Sequence, residues 1–124
     1  MTKREVLEFL KAELAFLEFG GYEQHENEHA AWRAVLVFED SPNCLNFSRP
    51  FPRVPCGECP LIQFVPENLK QKEAPCRFIP MDNEGQTLDS LYRSATKEET
   101  LAVVRRWLKE QIADLEGQIR MEAA

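Results

Sequence analysis

Five of the chain's eight prolines fall in one stretch: Pro42, Pro50, Pro52, Pro55 and Pro60. Proline fixes φ and has no amide hydrogen to donate, so this stretch is excluded from a helix interior and from a central strand. A long loop of this kind needs a brace. All four cysteines of the 124-residue chain lie in or just beyond it, at Cys44, Cys56, Cys59 and Cys76.

Their spacing is C-x11-C-x2-C-x16-C. A tight turn across the two residues between Cys56 and Cys59 brings two sulfurs within reach of one ion, at a Zn–S distance of about 2.3 Å. Gly57 supplies freedom for that turn, and Pro55 and Pro60 stiffen its flanks. The segment from 44 to 77 is mildly basic, with Arg49, Arg53, Lys70, Lys72 and Arg77 against Glu58, Glu67 and Glu73. A four-thiolate site on a divalent metal would add about two negative charges there and offset the excess. The pattern therefore predicts a structural zinc on Cys44, Cys56, Cys59 and Cys76. An iron–sulfur cluster on the same four ligands is the alternative: Cys59-Pro60 matches the Cys-Pro pair of some cluster motifs, although the other spacings depart from ferredoxin patterns. Buried thiols without a metal are the bland reading. A thioredoxin-like redox pair is disfavoured, because its second cysteine should open a helix and here Pro60 leads into the apolar run "LIQFV".

Around the cysteine segment the periodicities predict an α+β fold. Val6, Leu7, Leu10, Leu14 and Leu17 recur at helical steps over residues 1–20, with Gly20-Gly21 as the stop. Leu101, Val104, Leu108, Ile112, Leu115 and Ile119 form the stripe of a long last helix, opened by Thr96 and Glu99 as a capping box. A shorter helix begins after Thr87, so helices fill 87–121. Within the 32–81 module, "WRAVLVFE", "LIQFV" and "RFIPM" read as three short strands of a small mixed sheet, with the cysteine loops at one end. Cys76 joins the other three only if the second and third strands run parallel. Two long terminal helices would pack on each other and on this sheet, as a single domain over 1–124. Their stripes could also extend into a homodimer, though they are wider than a coiled-coil seam.

A second metal motif is present in letter. His25-Glu26-Asn27-Glu28-His29 matches H-E-x-x-H, the zinc-protease pattern in which two histidines bind the metal and the glutamate activates water. Its flanks, Glu23 and Gln24, are polar and the segment is short, so a solvated acidic turn is the preferred reading over a metallohydrolase. No Gly-rich phosphate loop and no nucleophile with an adjacent base appears. The net charge of −6 argues against nucleic acid and membrane surfaces as partners. Glutamates interrupt any signal-peptide run near the N-terminus, and a cytoplasmic protein with reduced thiols is expected. The resulting expectation is a small non-enzymatic module that acts through protein contacts, with Arg49, Phe51 and Arg53 on the braced loop as its partner surface.

Overall fold

A computed structural model of the chain describes residues 1–23, 35–47 and 53–123. Two helices form its frame. Helix α1 spans Lys3–Glu18 and begins at a capping box, in which Thr2 Oγ1 accepts from the Glu5 amide and the Glu5 carboxylate accepts from the Thr2 amide. It ends as the glycines require. Gly20 takes φ +78°, and the Phe16 ring lies where a Cβ on Gly21 would project. Helix α2 spans Leu88–Ser94, capped by Thr87, and α3 spans Lys97–Ala123, opened by the expected Thr96–Glu99 box.

Helices α1 and α3 run antiparallel. Lys3 pairs with Glu122, Lys11 with Glu116 at 3.2 Å, and Lys109 with Glu18 at 3.7 Å. Between these exposed pairs, Val6, Leu7, Leu10 and Leu17 share one buried core with Val104, Leu108, Ile112 and Leu115. The two predicted stripes thus pack against each other within one chain. At a rise of 1.5 Å per residue, α3 is about 40 Å long and α1 about 24 Å, so α3 reaches well past its partner. Near the middle of α3, Trp107 meets Phe38 and Phe64 edge-on, with ring centroids 6.3 and 5.0 Å apart.

The predicted sheet is not there. Among the described residues none lies in a strand, so the fold is helical and not α+β. Where the first strand was expected, the chain from Val37 to Asp40 makes a turn, and Phe38 has φ +69°. Val37 and Phe38 are both buried; the left-handed backbone at Phe38 brings two adjacent side chains into the same core, which a flat strand cannot do. "LIQFV" is a 3-10 helical turn over Pro60–Phe64, and Leu61 and Val65 are its buried positions, at helical spacing. "RFIPM" is the end of another such turn, Pro75–Phe78, followed by a single extended passage through Ile79 and Met81. Short apolar runs do not distinguish a strand from a turn of helix by period alone. The prolines decide it here. Each of four short turns is entered through one: Pro55 before Cys56–Glu58, Pro60 at the start of Pro60–Phe64, Pro66 before Glu67–Leu69, and Pro75 at the start of Pro75–Phe78. Proline at a first helical position loses no hydrogen bond, because that amide has no intrahelical acceptor.

Candidate four-cysteine site

With no sheet to align them, the cysteines are brought together by turns and side-chain brackets. Cys44 follows a chain of i to i+3 bonds: Ser41 N–H donates to Phe38 O, Cys44 N–H to Ser41 O and Phe47 N–H to Cys44 O. Cys56 and Cys59 close their own turn, with Cys59 N–H on Cys56 O at 3.0 Å. Cys76 lies in Pro75–Phe78. These three arms are then tied to one another. The Asn46 side chain both donates to Val54 O at 2.9 Å and accepts from Val54 N–H at 2.7 Å, a bracket between the arm of Cys44 and the arm of Cys56. Arg77 grips Glu39 bidentately, at 2.7 and 2.8 Å, and so joins the arm of Cys76 to the turn that leads to Cys44.

All four cysteines line one pocket of about 100 Å³, with Phe9, Phe38, Leu61, Ile62 and Val65 among its apolar walls. They are free thiols, each partly buried. The acidities of three of them record the enclosure. Burial pushes Cys59 up to about 11, with the charges of Cys44 and Cys56 adding to it and the Leu61 amide opposing. Cys76 is raised further by burial, then by Glu39 and by the other three cysteines. Cys56 is raised by burial and by Cys44, while Arg53 pulls it down. Cys56, Cys59 and Cys76 therefore favour the neutral thiol, and a cation that bound them would have to displace protons. The four cysteines line this one pocket without the parallel strands on which Cys76 was expected to depend.

Among the described residues, no three Cys, His, Asp or Glu side chains converge closely enough to hold one metal ion. The pocket has room for several water-sized groups, each needing roughly 10–15 Å³ on the same measure.

The turn before Cys44 is strained and heavily bonded. A bulky residue with positive φ costs on the order of 1–3 kcal/mol, and it persists where its surroundings over-determine it. Around Phe38 they do. The Val37 amide donates to the Tyr92 hydroxyl at 2.9 Å, the Phe38 amide to the Tyr22 hydroxyl at 2.9 Å, and the Leu36 amide to an Asp40 carboxylate oxygen at 2.6 Å. Two tyrosines and an aspartate thus satisfy amides that a sheet would otherwise have paired. Sequence patterns gave no hint of Asn46, Glu39, Tyr22 or Tyr92. One signal was available: Glu13 stands in the α1 stripe between Leu10 and Leu17 and is buried with them.

Of the remaining predicted residues, Arg53 is exposed and lines the cysteine pocket. His25, Glu26, His29, Arg49 and Phe51 lie outside the described residues. No helix among the described residues is long and apolar enough to cross a membrane. Comparison with family models, curated proteins and solved structures finds no match.

Proposed function

We propose that this chain is a small iron–sulfur protein whose cluster is held by Cys44, Cys56, Cys59 and Cys76. One observation carries the proposal: four thiols line a single pocket with apolar walls. In a four-cysteine cluster the thiolates are spread over two or four irons, so they stand apart around a common volume instead of all meeting at one ion. The walls fit the same use. Phe38 lines the pocket and meets Trp107 edge-on, as Phe64 does, and an apolar sheath limits water access and tunes reduction potential.

Structural zinc on the same four thiolates is the second reading, supported by the tight turn from Pro55 to Cys59. It would require the arms to draw inward. Protein contact through Arg53 at the pocket rim accompanies either cofactor.

Anaerobic purification followed by iron, acid-labile sulfide and zinc analysis separates the two. A brown protein with iron and sulfide in equal amounts, lost in the Cys56→Ser/Cys59→Ser double variant, is the expected result. A colourless protein with one zinc per chain would transfer the proposal to the second reading. Less than about a tenth of a metal ion per chain, after reconstitution and without chelator, would defeat both.

A further inference from the structure

Helix α1 carries a residue that packing alone does not explain. Glu13 is 1% exposed, in the middle of an otherwise apolar stripe. Its Oε2 accepts from the Tyr22 hydroxyl at 3.0 Å, while Oε1 has no partner within hydrogen-bonding distance. Burial raises the carboxyl's pKa, with Ser41, Tyr22 and Asn43 opposing. A buried acid with an orphan oxygen is costly, and an apolar residue of similar volume is often at least as stable in such a place. What Glu13 touches gives it a purpose.

Two short routes run from it to Cys44. Along the first, the Tyr22 hydroxyl that donates to Glu13 also accepts from the Phe38 amide, and so holds the one described non-glycine residue with positive φ. Phe38 is a wall of the cysteine pocket and starts the turn sequence that ends at Cys44. Along the second, Ser41 and Asn43 lie beside the carboxyl. Ser41 Oγ accepts from both the Asn43 amide, at 3.1 Å, and its side-chain Nδ2, at 3.3 Å, while Ser41 O accepts from Cys44 N–H. Cys59, on a different arm, also lies within electrostatic reach of Glu13.

We infer that Glu13 and Tyr22 are positioning residues of the four-cysteine site: together they fix the strained turn that presents Cys44 to the pocket. The inference rests on the proposed cofactor for its purpose, but the positioning itself can be read without one. Tyr22→Phe keeps the ring and removes the hydroxyl that bridges Glu13 to Phe38. Glu13→Gln keeps an acceptor for that hydroxyl.

The reconstituted chain tests it. In Tyr22→Phe, loss of the cofactor to a chelator should be about 10–100-fold faster than in wild type, the usual scale for losing an outer-shell partner. Its visible and paramagnetic spectra should shift, and the single variant Glu13→Gln should retain wild-type behaviour where Glu13→Ala does not. Leu115→Ala serves as the control, since it truncates a buried core residue that does not line the pocket. Equal acceleration in Leu115→Ala, or a wild-type loss rate with an unchanged spectrum in Tyr22→Phe, would overturn the inference. The cofactor-free chain gives an independent arm. There Tyr22→Phe should speed alkylation of Cys44 by iodoacetamide relative to Cys76, and an unchanged ratio would overturn the positioning role whatever the cofactor proves to be. A wild-type chain that takes up no metal would instead remove the cofactor reading and leave this arm standing.

Discussion

The helical frame and the cysteine lobe are held together in different ways. In α1 and α3 the backbone satisfies itself, and side chains are left free to build a core from Val6, Leu10, Val104 and Leu108. In the lobe, short 3-10 turns satisfy little of the backbone, and side chains complete it: Asn46 on Val54, Tyr22 on Phe38, Tyr92 on Val37, Asp40 on Leu36. A helix tolerates the loss of a surface side chain, because its ladder remains. A turn lobe loses backbone partners with each such change, which suits a region whose geometry a bound group can complete.

Breaking the frame should have the largest effect. Leu108 is fully buried on α3, and Leu108→Ala should cost about 2–5 kcal/mol, read as a lower urea midpoint for frame and lobe together. Asn46→Ala strands the Val54 amide and carbonyl, so a loss of about 1–3 kcal/mol is expected, and hydrogen exchange should show it first at residues 53–65. If α1 and α3 lose protection equally, the two regions are not distinct. Glu13 sharpens the comparison through pH. Its folded pKa lies above the ordinary 4.5, so the folded state keeps the proton longer and wild-type stability falls as pH rises from about 4.5 through the folded value. Glu13→Gln lacks that fall, and its stability relative to wild type should be greater at pH 7.5 than at pH 4; a constant difference would mean the carboxyl is not protonated in the core. The smallest effect belongs to Lys11→Gln. Its exposed pair with Glu116 should be worth no more than about 0.2–1 kcal/mol, and less in salt.

The frame was legible in the sequence because its signals are periodic and redundant. Six apolar residues at helical spacing from Leu101 to Ile119, with a capping box before them, leave one interpretation. The lobe was half legible. The clustering and C-x2-C spacing of the cysteines pointed to a common site, and all four line one pocket, but "LIQFV" and "RFIPM" are too short for period to separate strand from turn. Pro60 was weighed with its neighbours as a breaker of helix, which holds for an interior; it stands at a first position, as Pro75 does, where proline starts a turn. The sheet failed at Phe38. Nothing in a phenylalanine announces positive φ, and the three groups that enforce it come from distant or weakly patterned positions. Glu13 could have been found, since an acid inside an apolar stripe breaks the pattern that surrounds it.

The chain has two tyrosines, and both hydroxyls are bound to the lobe's backbone. Burial raises the pKa of each phenol above its ordinary value of 10. Phenolate absorbs in the near ultraviolet, so an alkaline absorbance titration needs no added dye here. Neither tyrosine should ionise near pH 10 while folded, and the two signals should rise late and together as the turns let go. The molecule thus carries its own optical gauge of whether the cysteine lobe is closed.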